Sequence, residues 1–176
     1  LATSEKFNSS MGGQPVPLKY RRDGGASFDT EKLATPGSTW RRSVYLFQRR
    51  VYHLTVQGVF DQPTIAGSVC RRNASAVALQ SLSMLNDSLA LEQAEHFAKR
   101  VWENSGQSST ERIELSFRIA LSRAPDSQET QWSSELLRQH ADRYQAKGSS
   151  ADQANRQALM HLCRVLFNSS EFLYVE

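Results

Sequence analysis

The residues able to hold a metal or move a proton are few: four histidines and two cysteines, set among eighteen carboxylates. Glu92 and His96 stand four apart, so a helix puts both on one side. No HExxH motif and no third ligand at helical spacing completes a metal site, and the pair reads as a solvated polar face. His161 and Cys163 are two apart and point in different directions on a helix. His53 and His140 stand alone in the sequence. No metal is predicted.

Nucleophilic catalysis needs a Ser, Cys or Thr beside a base. There is no GxSxG elbow, and Cys163 falls beside Leu162 on an apolar helical face, where thiols are inert. Cys70 and Cys163 form no CxxC or CxxCH, so zinc-ribbon, redox-pair and haem-attachment patterns are missing. Two buried thiols are expected, with a single bridge between them left open. Glycoside hydrolysis needs two carboxylates facing across a cleft. Asp61, Asp87 and Glu171 are candidates, although Asp87 also suits a helix cap and Asp61 an Asx turn in FDQP. Phosphate loops are missing, since MGGQP and RRDGG lack the required spacing.

Arginine pairs are the remaining candidate surface: Arg41-Arg42 and Arg49-Arg50 bracket WRRSVYLFQRR, and Arg71-Arg72 follow. Interleaved Trp40, Tyr45, Phe47 and Tyr52 would allow base stacking on a polyanion. On a helix, however, Arg41 and Arg42 face different ways, and residues 33–98 carry no lysine. Arginine without lysine suits planar pairing with carboxylates. The net charge of +3 divides into +6 over residues 1–72 and −3 over residues 73–176. The arginines are therefore expected to meet the acidic half and helix C-termini, and nucleic acid is not the expected partner.

What must position these residues is mostly helix. Residues 1–39 form a basic, irregular arm, with turns at Gly12-Gly13 and Gly24-Gly25 and one short strand near residues 16–20. Residues 40–50 place Val44, Phe47 and Val51 on a helical face. The stretch VYHLTVQGVF is ambiguous between strand and coil, and FDQPTIAG reads as loop. Ala76, Leu79, Leu82, Met84 and Leu85 mark a short apolar helix ending near Asn86. The next helix, capped by Asp87 or Asn86, carries Ala90, Ala94, Phe97, Ala98 and Val101. Thr110 is the expected cap of a helix with Ile113, Phe117, Ala120 and Leu121. Pro125 ends it, and Asp126 with Glu129 has capping-box spacing for a helix burying Trp132, Leu136, Leu137 and Tyr144. A last helix carries Ala151, Ala154, Ala158, Leu162, Val165 and Leu166, and NSSEFLYVE closes with an apolar turn. The expected fold is all-α, a bundle of about five helices over residues 40–176 with the arm 1–39 packed on it. No run of about 18 apolar residues predicts a membrane span. A chain beginning at Leu1 without Met is expected to be a processed or excised piece.

Several blocks resemble a known family. WRRSVYLFQRR is similar to its (Y/F)RRSLYxFxKR block, FDQP to FDxP, and SVCRRNASAVALQSLSMLND to C-x-x-R-x-x-x-x-TPLQAL-x-LLN. IALSRAPDSQE resembles ALGRxPxxxE, and HLCRVLFNSSEFLYVE resembles LCRxLLNSxEFLYV. MGGQPVP matches MGGPS more loosely. Val77 stands where the family has Pro, and Ser122 where it has Gly. The resemblance is to the domain of unknown function at the C-terminus of large planctomycete-type exported proteins, which commonly carry a cytochrome c domain upstream. It singles out Trp40, Phe60, Asp61, Pro63, Leu79, Gln80, Leu85, Asn86, Arg123, Pro125, Asn168, Glu171 and Phe172 as signature positions. It implies an exported parent, at the periplasm or cell surface, with any haem c outside this chain and no cofactor in it. The expected function is a non-catalytic interaction or scaffold domain, packed on its parent or on a protein partner. One alternative is a glycan-acting hydrolase of a surface polysaccharide-utilisation system, built on Asp61 and Asp87. Another is polyanion binding through Arg41, Arg42, Arg49, Arg50, Arg71 and Arg72.

Overall fold

A computed structural model describes residues 1–20, 26–32, 38–47, 55–63, 70–71, 75 and 77–174. It is mostly helical, as the sequence predicts, with α1 (Thr55–Val59), α2 (Ala78–Asn86), α3 (Ser88–Asn104), α4 (Ser109–Leu121), α5 (Ser127–Ala146), α6 (Ala151–Phe167) and α7 (Ser170–Leu173). Five of these, α2 to α6, have nine residues or more. The chain forms two compact units, one of Leu1–Glu5 with Met84–Glu176 and the other of Lys6–Ser83.

In the first unit each long helix begins with a side chain that satisfies free backbone N–H groups. Asp87 accepts from the Leu89 N–H at 2.8 Å. Ser150 and Gln153 form a capping box on α6, and Asp126 with Glu129 forms the expected one on α5. Ser108 caps α4 in a box with Glu111. Thr110, the expected cap, instead lies inside the helix and donates its own N–H to the Ser108 hydroxyl. Starting the helix two residues earlier leaves Glu111 at the position that closes the box.

The α3 stripe is as expected: Ala90, Ala94, Phe97, Ala98 and Val101 are all buried. They join Ile113 and Phe117 of α4 and Leu159, Leu162, Cys163, Leu166 and Phe167 of α6 in one core. Phe97 stacks on Phe167 at 5.5 Å, and Phe167 meets Phe172 of α7 at 4.9 Å. In α6, Ala151 and Val165 face outward while Leu159 and Phe167 take interior places. Trp132 of α5 is 63 % exposed, against expectation. The α5–α6 contact is made through Ala141, Ala154 and Ala158. Small residues let two helices approach closely, which leaves no room for an indole between them.

The second unit differs more from its sequence pattern. A two-stranded antiparallel ribbon pairs β1 (Leu18–Tyr20) with β2 (Ala26–Phe28), where one strand is expected. Residues 40–47 are not α-helical: 3-10 turns at Ser38–Trp40 and Ser43–Tyr45 lead into an extended Leu46 bridged to Val16. The Val16 N–H donates to the Tyr45 carbonyl at 2.7 Å, and the Phe47 N–H donates to the Val16 carbonyl at 3.0 Å. This pairing buries Val16, Leu18 and Leu46 together and leaves Val44 on the surface. Helix α2 is present but turned the other way: Leu79 and Leu82 are each 55 % exposed, and Gln80 is 1 % exposed. The Gln80 amide is the reason, because its N–H groups reach the Val59 carbonyl at 3.1 Å and the Ser75 hydroxyl at 3.4 Å. A buried amide must keep such partners, so it fixes the rotation of the helix.

Candidate functional site

Arg123 begins just beyond α4, where Ser122 takes a left-handed conformation, and Pro125 ends the corner before α5. Its guanidinium is gripped by two carboxylates. Glu129 accepts from both Nη1 and Nη2 at 2.7 Å, and Glu171 accepts from Nε at 2.8 Å and Nη2 at 2.7 Å. The Ala124 carbonyl accepts a further bond at 3.1 Å. Glu129 also closes the α5 capping box through the Asp126 N–H at 2.8 Å. Hydrogen bonds from Arg123 hold the Glu129 carboxyl down at about 2 and pull Glu171 below its ordinary value, while the two carboxylates raise Arg123. Arg123 and Glu171 thus form one clamp between the α4–α5 corner and α7.

A second node lies in the other unit. Asp61, in a left-handed turn with φ of 57°, accepts from both the N–H and the hydroxyl of Ser75 at 2.7 Å. Ser75 also meets Gln80, so Asp61 and Gln80 converge on one serine. A third node forms around Arg41. This buried guanidinium lies 3.9 Å from the Tyr45 ring and donates to the carbonyls of Ser10 at 3.0 Å, Gln14 at 3.3 Å and Gly12. The Tyr45 hydroxyl accepts the Gly12 N–H at 3.2 Å. Gly12 and Gly13 both have positive φ, the backbone shape that lets MGGQ curl around a guanidinium.

The remaining sequence candidates are dispersed. Arg42 is exposed, 5.9 Å from the Phe7 ring, and Arg71 is exposed. Arg49, Arg50, Arg72, Ala76, Val51, Tyr52, His53 and the Gly24-Gly25 turn lie outside the described residues. Trp40 and Phe60 are half-buried, while Pro63, Leu79, Leu85 and Asn86 are exposed. Asn168 ends α6, its N–H reaching the carbonyls of Arg164 and Val165. Phe172 packs on the core. Asp87, the second carboxylate of the hydrolase alternative, is occupied by its cap.

Both cysteines are free thiols; Cys163 is buried and Cys70 is exposed, correcting the expectation of two buried ones. Burial pushes the Cys163 thiol far up, so it stays protonated and unreactive. His140 is not isolated: it stacks on His161 at 4.1 Å, and the Tyr144 hydroxyl meets His161 Nε2 at 2.8 Å. Burial lowers His161 to about 4, with help from His140 and Arg164, which keeps it neutral. Among the described residues no three His, Cys, Asp or Glu side chains are grouped to hold a metal. A groove of about 290 Å³ is lined by Pro15, Pro17, Tyr20 and Phe47, with Asp29 and Lys32 paired at 3.1 Å.

Sequence reasoning placed Glu129 in its cap but missed its grip on Arg123. The R-x-P-x-x-x-E spacing could have shown it, since the capping box brings Glu129 back beside the corner. It also missed Arg164, whose guanidinium donates to the Leu85 carbonyl at 2.8 Å in the last turn of α2.

A family model described as PSD1, a protein of unknown function (DUF1553), matches residues 1–137. No curated protein and no solved structure matches the chain.

Proposed function

The chain belongs to the PSD1 family of proteins of unknown function (DUF1553), and we propose that it serves as a non-catalytic interaction or scaffold module of a larger protein. It packs on the remainder of that protein, or on a protein partner, and supplies a rigid body rather than a reaction. The parent is exported, of the planctomycete type, and any haem c resides in another part of it.

The observation that carries this reading is the Arg123 clamp. Arg123 and Glu171 are charged signature residues, and each is used to fasten one helix end to another. All five donors of Arg123 are taken by Glu129, Glu171 and the Ala124 carbonyl, so this guanidinium is committed to holding the corner. Asp61 and Asp87, which the hydrolase alternative needs, are likewise held by Ser75 and by the Leu89 N–H.

The test is association. The 1–176 chain and the remainder of its parent, produced as two pieces, are expected to co-elute in size exclusion and to give saturable heat on titration. Separate elution with no heat, together with turnover of a neutral or sulfated polysaccharide, would overturn the proposal. Fractionation of cells expressing the tagged full-length parent tests the export arm independently.

A further inference from the structure

Trp102 sits near the end of α3, half-buried against the core. Two other helices bring a guanidinium to the same indole. Arg112 of α4 places Cζ 3.7 Å from the ring centre, and Arg156 of α6 places Cζ 4.9 Å from it. Arg112 is only 9 % exposed, and its buried Nε has no hydrogen-bond partner. Arg156 is exposed. Among the described residues neither side chain makes a hydrogen bond or an ion pair. The nearby carboxylates are placed for other work: Glu111 accepts the Ser108 N–H in the α4 cap, and Asp152 lies in the first turn of α6, favoured there by the helix dipole.

This arrangement departs from the chain's own pattern. Arg41 also stacks on an aromatic ring, yet three carbonyls take its N–H groups. Arg123 is saturated by two carboxylates and the Ala124 carbonyl. Stacking uses the face of a guanidinium, whereas hydrogen bonds lie in its plane, so stacking on a ring does not use up an arginine's donors. At Trp102 two guanidinium groups lie against one indole, and the charge of Arg156 opposes that of Arg112. Burial, with Arg156 opposing and Asp152 assisting the charge, moves Arg112 below the ordinary arginine value. Buried donors normally have partners, and the group that would satisfy both arginines is an anion with several acceptor oxygens.

We propose that Arg112, Trp102 and Arg156 form a binding site for an oxyanion group (a sulfate, phosphate or carboxylate) held by the two guanidinium edges over the indole. The site does not depend on the scaffold reading of the whole domain.

The chain has three tryptophans, so its indole N–H signals give a direct readout by heteronuclear NMR. Trp102→Phe identifies the Trp102 signal. Sodium sulfate, phosphate and acetate are each titrated into the 1–176 chain at constant ionic strength set with sodium chloride. The expected result is a saturable shift of the Trp102 signal alone in at least one series. Tighter saturation by sulfate or phosphate than by acetate assigns a tetrahedral anion, and the reverse assigns a carboxylate. Arg156→Gln, at an exposed position, is expected to raise the dissociation constant about tenfold or more without moving the Trp40 and Trp132 signals. Arg156→Lys, which keeps the charge but loses the fork, is expected to fall between. No saturable shift with any anion, or equal affinity in Arg156→Gln, would overturn the proposal and leave an arginine–tryptophan stack only.

Discussion

Each of the two compact units is stabilised internally in its own way. The unit of Leu1–Glu5 with Met84–Glu176 has a continuous apolar core in which Phe97, Val101, Ile113 and Cys163 are wholly buried. Among its described residues, the unit Lys6–Ser83 buries Val16, Leu18 and Leu46 as its apolar cluster. It adds polar nodes, with Arg41 gathering the carbonyls of the MGGQ loop and Asp61 and Gln80 meeting at Ser75. The lesson is one of tolerance. An apolar core responds to lost volume, whereas a polar node responds to lost geometry, because a fork of donors has no substitute of similar size.

The strongest way to break that contrast is Phe97→Ala. Loss of a fully buried aromatic is expected to lower stability by about 3–5 kcal/mol, read from urea denaturation followed by helical circular dichroism. A small change would mean that the helical unit does not depend on its core.

Arg41→Ala comes next. Hydrogen bonds to charged groups contribute about 1.5–3 kcal/mol, and the loss should appear as faster amide exchange at residues 10–16 and 45–47. Exchange within α3 and α6 should stay unchanged. If Leu46→Ala accelerated exchange in the same segment more than Arg41→Ala, the polar account of this unit would be wrong.

The clamp at Arg123 lets acid sharpen the comparison. Glu129 has a folded value of about 2 against 4.5 for the free side chain. Its contribution is therefore complete above pH 4.5 and lost as pH falls toward 2. His161 acts in a separate window: its folded value of about 4 means the unfolded chain takes the proton first, so stability falls from pH 6.5 to 4. Glu129→Gln should cost about 1 kcal/mol at pH 7, allowing for solvent screening, and flatten the loss between pH 4 and 2. Urea midpoints at pH 7, 4 and 2 for both chains measure this.

Trp132→Gln should have the smallest effect, within about 0.5 kcal/mol, because the indole is largely in solvent. A larger loss in the same urea experiment would restore it to the core, where its spacing first placed it.

Most of α3 to α6 was legible because apolar spacing, caps and breakers agree there. Ala90 to Val101 repeat on one face, Asp87 caps, and Pro125 with the Asp126–Glu129 box marks the next corner. In α2 the same spacing misled. Leu79, Leu82 and Leu85 form a convincing stripe, yet buried Gln80 sets the rotation through partners at Val59 and Ser75. Residues 40–47 were misread for a related reason: hydrogen bonds to Val16, thirty residues away at Leu46, replace those of a local helix. The pairing of Arg123 with Glu171 was not legible at all. Arg123 and Glu171 lie 48 residues apart, and no local rule links them.

The sequence alone determined the helical class, most helix starts, and the scarcity of metal and nucleophile patterns, because these depend on neighbours within a few turns. Tertiary structure decided what each arginine does. A guanidinium can stack, clamp carboxylates or gather carbonyls, and only the groups brought to it from distant segments select among these. Arg41 met a loop, Arg123 met two carboxylates, and Arg112 with Arg156 met an indole.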